Sequence, residues 1–473
     1  MASATPGVAP GKRNLILLAV CGGAFMATFD TSLVSVALPQ MARHLEVPLS
    51  SISWIMLAYL IANASLLLSS SQMGDLVWPG RLFISGMAVF GLASAACGLS
   101  HQPWQLIIAR AVQGLGASLM LGVAPKIITL IFQEGERGLP FGLFSTAFAS
   151  GVTFGAPLGG VIAANWGWPW IFSLNLPLAG LALAVSWRYL CCLQTGTDGA
   201  KRRLDWLGGL LFAISIALFM WALTQVRTLG WQEPFIWTAL GVAAVAFGLL
   251  VLVERRQPWP LLPGRLWHSW AFFLGAISVV LTFAAVMGTF FLLPFYLEEI
   301  FHLPTQKVGL FLAVLSFTNA LFAPLGGFYG DRWGNLAILR LGASLILGGL
   351  TALWWWGPHA ATPLLGLILA LTGMGFGLFQ APNLNEMLRG LKPEFLGLAA
   401  GTNAVLKNIG ALLGIALMVT VVTWGAGRST PLKTVECLDW HCFRLAFLAA
   451  ILLAGLNAII NLFPRRRLAT AAN

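Results

Sequence analysis

The chain has 473 residues, of which 58% are hydrophobic and only 9% charged, with a formal net charge of +11. So few charges cannot clothe the water-soluble surface of the several domains that this length would otherwise suggest. In a chain of this composition the positive charge reports topology, and no nucleic-acid partner is expected.

Runs of about 20 apolar residues, each long enough to cross a hydrocarbon core of roughly 30 Å as a helix, recur from Leu15 almost to the C-terminus. In chain order they predict fourteen transmembrane helices, at 14–38, 51–73, 81–100, 104–125, 140–164, 168–190, 206–226, 233–253, 270–296, 306–328, 336–357, 362–387, 396–424 and 442–463. The first run continues past Asp30 to Pro39 without an Ala-x-Ala-like site, so it is expected to be a span and not a cleaved signal peptide. The fold class is therefore an all-α polytopic membrane protein.

The basic residues set its orientation. With the N-terminus inside, the inner segments hold Lys12, Arg13, Arg81, Lys126, Arg137, Arg188, Lys201, Arg202, Arg203, Arg255, Arg256, Arg265, Arg332, Arg340, Arg389, Lys392 and Arg465 to Arg467. The outer segments hold Arg43, Arg227, Lys307, Arg428, Lys433 and Arg444. This positive-inside bias places both termini in the cytoplasm, which an even number of spans satisfies.

The two longest polar inner segments, 191–205 and 254–269, flank the seventh and eighth spans. They predict an N-terminal six-helix bundle at 1–190, inner loops and a central two-helix insertion at 191–269, and a C-terminal six-helix bundle at 270–473. An internal echo supports the division, because Ser71-Gln-Met-Gly-Asp75 after the second span resembles Gly327-Phe-Tyr-Gly-Asp331-Arg332-Trp-Gly334 after the tenth. Two six-span halves with the same loop are a repeat signature of secondary transporters, whose substrate path lies between the halves near the midplane.

Of the 16 acidic residues, Asp30 is the one expected well inside a span, about 12 Å from its outer end at 1.5 Å per residue. Ionisable residues at such depth face a cavity or a partner and mark a pathway. Arg110, about 9 Å below the outer start of the fourth span, falls at similar depth. The pair can exchange a proton as access alternates, or it can be a static salt bridge between two helices. Lys407 lies near mid-depth in the thirteenth span, where it could attract an anionic group or bond to helix carbonyls. Glu386, Glu298 and Glu299 are expected at span ends, in contact with the interface or solvent. Gly151, Gly155 and Gly159 share one face of the fifth span, with Pro157 between them and Gly160 beside them, a spacing expected to form a tight helix contact that slides or bends as a gate during transport, or one that serves packing alone.

The tryptophans Trp104, Trp166, Trp168, Trp170 and Trp231 suit interfacial anchors. The six histidines show no metal-ligand spacing, and there is no nucleophile motif, P-loop or dinucleotide fingerprint. No metal, cofactor or enzymatic activity is expected. Cys437 and Cys442, in the outer loop before the last span, are a candidate disulfide.

These residues together resemble the major facilitator superfamily, specifically its fourteen-span drug:proton antiporter branch. The first span reads Phe29-Asp30-Thr31-Ser32-Leu-Val-Ser-Val-Ala37-Leu38-Pro39, similar to the branch's Asp-Thr-Thr-Ile-Val-Asn-Val-Ala-Leu-Pro. The fourth reads Ala109-Arg110-Ala-Val-Gln113-Gly114-Leu-Gly116-Ala117, similar to its Arg-x-x-Gln-Gly-x-Gly. The fifth and sixth carry Gly155-Ala-Pro157-Leu-Gly159-Gly160 and Trp168-Pro-Trp170-Ile-Phe172-Ser-Leu-Asn175-Leu-Pro177. The resemblance implies that Asp30 and Arg110 couple transport to protons. It also implies that inner loops at Asp75 with Arg81, and at Asp331 with Arg332, latch the halves in the outward-facing state, and that the glycine-rich fifth span is the antiporter motif. The chain departs from the family where Trp78, Pro79 and Gly80 precede Arg81, which implies a weaker or different N-terminal latch. Its antiporter proline is displaced to Pro157. No carboxylate stands in the thirteenth span, which counts against multivalent organic cations as cargo.

The function expected is proton-coupled export of amphipathic small molecules by alternating access, in a bacterial-type inner membrane and as a monomer. Trp54, Tyr59, Gln113, Gln380, Asn383 and Lys407 are candidate substrate contacts. One acid against two bases within the membrane leaves open an anionic metabolite, lipid or siderophore-like cargo; a non-transporting sensor is the alternative of another class.

Overall fold

Apolar stretches of this length satisfy their backbone N–H and C=O groups in hydrocarbon by coiling into helices. The computed structural model describes residues 10–76, 78–133, 136–190, 206–230, 232–256, 264–267, 269–391, 393–425 and 439–463, and its regular segments are helical throughout. Among the described residues fourteen helices are long and apolar enough to cross a membrane. The first six are α1 (Pro10–His44), α2 (Trp54–Leu76), α3 (Pro79–Gly98), α4 (Pro103–Ile131), α5 (Gly138–Trp166) and α6 (Asn175–Leu190). A pair follows, α7 (Trp206–Leu229) and α8 (Pro234–Arg256). The last six are α9 (Trp270–Glu299), α10 (Thr305–Trp333), α11 (Asn335–Trp356), α12 (Thr362–Leu388), α13 (Pro393–Gly425) and α14 (Trp440–Leu462).

Every predicted span coincides with a helix, and most helices outrun the prediction. Helix α1 passes through Pro39 and ends at His44, because losing one backbone donor does not break a helix of 35 residues packed along its length. The sixth span is interrupted instead. A five-residue helix, Pro169–Ser173, precedes α6 and is separated from it by Leu174, and Pro177 has no N–H to give the Ser173 carbonyl. Several expectations fall outside the described residues: the basic segment with Lys201, Arg202 and Arg203, the Arg465 to Arg467 cluster, Trp231, and the Cys437 partner of Cys442.

The packing repeats with a shift of eight helices. In the first half α1 packs on α4, α5 and α6, α4 packs on α2 and α3, and α3 packs on α6. In the second half α9 packs on α12, α13 and α14, α12 packs on α10 and α11, and α11 packs on α14. The seams between the halves obey the same symmetry. Helix α5 meets α10, α2 meets α13, and α1 meets its counterpart α9.

The central pair flanks one of these seams. Helix α7 lies against both α2 and α13, and α8 packs on α7. Thr420 of α13 donates its hydroxyl to the Leu223 carbonyl of α7 at 2.9 Å. On the other side, Gly209 brings α7 so near the Ser65 carbonyl of α2 that an added Cβ would stand 3.0 Å from it.

Candidate functional site

The candidate site of the first half is built around α1, α4, α5 and α6, with α2 and α3 completing its shell. Helix α1 lies tightly on α5 because α5 presents glycine where α1 approaches: Gly151 faces Thr28 and Phe25, Gly155 faces Ser32 and Phe29, and Gly159 faces Leu33. A Cβ at Gly155 would lie 2.6 Å from the Ser32 Cβ and 2.7 Å from the Phe29 carbonyl oxygen. Thr28 and Ser32 then donate their hydroxyls to the Phe148 and Val152 carbonyls of α5, each at 2.8 Å. With residues 28, 29, 32 and 33 turned to α5, Asp30 is left to face α4 and α6.

There Asp30 is 1% exposed and Arg110 fully buried. Arg110 Nη1 donates to Asp30 Oδ2 at 2.5 Å, while Gln113 Nε2 and Asn175 Nδ2 donate to Oδ1 at 3.0 and 2.7 Å. The guanidinium is held in turn. Its Nη1 also reaches Gln113 Oε1 at 2.7 Å, its Nε donates to the Ile55 carbonyl at 3.2 Å, and its face lies 4.4 Å from the Tyr59 ring centroid. Asn175 is steered from behind, since Nδ2 also reaches Ser94 Oγ at 3.1 Å and that hydroxyl donates to the Phe172 carbonyl at 3.0 Å. Two buried atoms, Arg110 Nη2 and Asn175 Oδ1, have no hydrogen-bond partner among the described residues.

This arrangement neutralises a charge that would otherwise be prohibitive in hydrocarbon. A proton on Asp30 would remove the counter-charge of Arg110 and at least one acceptor site, so the packing of α1, α4 and α6 answers to the state of this one carboxyl. Asn175 and Ser94 are members of the site that the sequence alone does not single out. Asn175 stands within the quoted motif of the sixth span, while Ser94 carries no signal in an apolar run. Tyr59 and Gln113, expected to touch substrate, lie buried in the shell of the ion pair; Trp54 is half-buried against the apolar core.

The second half holds a different polar centre. Lys407 Nζ of α13 donates to Gln380 Oε1 of α12 at 3.2 Å, and Gln380 Nε2 donates to Asn319 Oδ1 of α10 at 3.1 Å. The ammonium also lies 5.4 Å from the centroid of Phe283 on α9. Asn383, another expected contact, is buried and donates to the Gly275 carbonyl at 3.1 Å, tying α12 to α9. Burial alone does not distinguish Asp30, because Glu386, expected at the interface, is 2% exposed, with the exposed Arg389 at 3.5 Å.

At one end the two halves are closed on each other. Gly160 of α5 abuts the Thr305 carbonyl of α10, and Gly309 abuts the Ala156 carbonyl beside Pro157. Arg43, at the end of α1, bridges Glu298 at 2.5 Å and Glu299 at 3.0 Å at the end of α9. Both carboxylates had been expected to be solvated. With His302 and Thr305 these residues line an open polar pocket of about 450 Å³. At the other end Asp331 and Arg332 are exposed, and Arg81 lies over the Trp78 ring at 3.7 Å. The side chain of Asp75 is outside the described residues.

The Major Facilitator Superfamily model matches residues 20–415. The multidrug resistance protein Stp of Mycobacterium tuberculosis (strain CDC 1551 / Oshkosh) is 29% identical over 419 residues, covering 88% of this chain and 77% of its own. The methylenomycin A resistance protein of Streptomyces coelicolor is 30% identical over 482 residues, covering 98% and 97%. Among solved structures, the nucleoside transporter NupG superposes with a TM-score of 0.67 at 13% identity, over 94% of this chain and 99% of that one. A chain with this family match, this fold and fourteen spans is a transporter and not an enzyme, and it belongs to the Major Facilitator Superfamily, where its span number fits the fourteen-span drug:proton antiporter branch.

Proposed function

We propose that this protein exports amphipathic small molecules across a bacterial-type inner membrane in exchange for protons, as a monomer with both termini in the cytoplasm. The observation that carries the reading is the Asp30 carboxylate, enclosed between α1, α4 and α6 with an arginine and two amides on its oxygens. Its relatives' names, a multidrug resistance protein and a methylenomycin A resistance protein, support a cargo of that kind.

In this reading the units are 1–190, 191–269 and 270–473, and the two six-helix units rock against each other. The orientation given by the basic residues puts the closed end, at Arg43 and Gly160, on the outside. The conformation is then closed to the outside, and the latches at Asp75 with Arg81, and Asp331 with Arg332, act in the opposite state. The stripe Gly151, Gly155 and Gly159 binds α5 to α1 within its own half, so the rocking surface is the neighbouring edge at Ala156, Pro157 and Gly160. A proton shifts this equilibrium only if Asp30 binds it with different affinity in the two access states, and dismantling the ion pair supplies such a difference.

The test is flux in proteoliposomes under an imposed pH gradient, with a panel of cationic, neutral and anionic amphiphiles. Asp30→Asn, which keeps the shape and loses the titrating group, is expected to abolish gradient-driven flux while retaining substrate binding. Undiminished gradient-driven flux in Asp30→Asn would remove Asp30 from the coupling mechanism.

A further inference from the structure

Among the described residues Lys407, the cation within the spans of the second half, has no anionic partner. Among the described residues the ion pairs are Arg13 with Glu136, Arg43 with Glu298 and Glu299, Arg110 with Asp30, and Arg389 with Glu386; none reaches Lys407. An ammonium has three donors, and here one is used by a neutral amide oxygen and the face of Phe283 takes the side. Asn319 fixes the Gln380 amide so that its oxygen, not its nitrogen, is turned to Lys407.

The position of this group is as informative as its charge. Helices α12 and α13 both pack on α9, so a hydrogen bond from Lys407 to Gln380 points inward, away from lipid. The helices that carry Asn319, Lys407 and Phe283 are the ones through which the second half meets the first: α10 on α5, α13 on α2, and α9 on α1. The side chains of Asn319, Gln380, Lys407 and Phe283 are all half-buried, and the Phe283 ring stands edge-on to the buried Phe376 at 5.0 Å. In the first half the Asp30 and Arg110 pair is neutral as a unit, whereas Lys407, among the described residues, is a positive charge without an ion-pair partner beside an aromatic ring.

We propose that Lys407, oriented by Gln380 and Asn319, is the counter-charge for the cargo, and that the cargo is an amphiphile bearing one carboxylate or equally acidic group whose apolar body lies on Phe283. This rests on the transport reading above and narrows it from amphiphiles in general to acidic ones. A fixed cation in a low-dielectric path selects such a molecule because burial strengthens the ion pair and rejects a second cation.

The experiment measures equilibrium binding of three probes with one aromatic body, 2-naphthoate, 2-naphthamide and 2-naphthylmethyl-trimethylammonium, to the purified full chain in nanodiscs. The wild type is expected to prefer naphthoate to naphthamide by about tenfold or more, the size of one charge-assisted hydrogen bond. The preference should vanish in Lys407→Gln, survive in Lys407→Arg, and weaken in Gln380→Leu, which frees the lysine without removing its charge. A wild type that binds acid and amide alike, or a preference that persists in a folded Lys407→Gln, overturns the proposal, and the melting temperature of each variant establishes that it is folded. Failure of the transport reading looks different. In that case no amphiphile of any charge is carried by wild-type proteoliposomes, whereas flux of neutral or cationic amphiphiles with no acid preference sinks this inference alone.

Discussion

The two halves share one packing scheme and place opposite electrostatics in it. In the first, a carboxylate and a guanidinium are sealed together, with amides and a tyrosine ring completing the shell. In the second, a lysine stands half-buried on a relay of neutral amides. In the proposed reading the same backbone repeat supports two jobs: a closed pair whose integrity is structural as well as functional, and a charge that the fold does not need for its own cohesion. Substitutions that remove each cation in turn separate the two.

The largest effect is expected from Arg110→Ala. Removing one member of a buried pair leaves the other as an uncompensated charge, which in soluble proteins costs about 3–5 kcal/mol. Thermal unfolding in detergent should show Arg110→Ala as more damaging than Gly160→Leu, Arg43→Gln or Lys407→Met. The double variant Arg110→Ala with Asp30→Asn should recover part of the loss, because the stranded carboxylate is gone and the two changes act on one network. If the double variant loses the sum of the two singles, the residues are independent and the sealed-pair description fails.

A smaller effect is expected at the seam. Leucine at Gly160 would collide with the Thr305 carbonyl, which a Cβ alone approaches to 2.6 Å, at an overpacking cost of about 1–3 kcal/mol borne by the closed arrangement. Spin labels at the exposed His101 and His359, one in each half at the same end as Arg43, should report a longer distance in Gly160→Leu. An unchanged distance would mean that the helices yield locally and that Gly160 does not set the gate. Arg43→Gln should move the same distance distribution in the same direction by less, since an ion pair whose arginine is 35% exposed is screened and contributes about 1 kcal/mol or less.

Much of this architecture was legible in the sequence, for identifiable reasons. Membrane spans are set by length and apolarity alone, so all fourteen could be placed, and their ends erred where local chemistry decides, as at Pro39, which α1 passes to reach His44. Asp30 and Arg110 stood out because charges in apolar runs are rare, and their partnership followed from matching depth. Asn175 and Ser94 did not stand out, because an amide or a hydroxyl in a span is cheap enough to occur without a role, and only the third dimension brings them to one carboxylate. The Arg43 bridge to Glu298 and Glu299 was hidden for another reason: loop charges look alike in sequence, and their pairing depends on how far apart the two halves stand. The glycine stripe was correctly marked as a close helix contact, but sequence could not say that its partner is α1 and that Gly160, one residue off the stripe, faces the other half.

The smallest effect is expected where the second half loses its cation. Lys407→Met keeps most of the length and the apolar stem of the side chain, and removes an ammonium whose contacts among the described residues are one hydrogen bond to Gln380 and the Phe283 ring 5.4 Å away. The liberated Gln380 oxygen is half-buried and can be satisfied by water, so the loss should lie within about 1 kcal/mol, and relief of the desolvated charge acts in the opposite direction. The melting temperature of Lys407→Met should therefore stay close to that of the wild type while Arg110→Ala falls far below it. If Lys407→Met destabilised the protein as severely as Arg110→Ala, the lysine would be a structural member of its half, and the contrast between a sealed pair and an available charge would collapse.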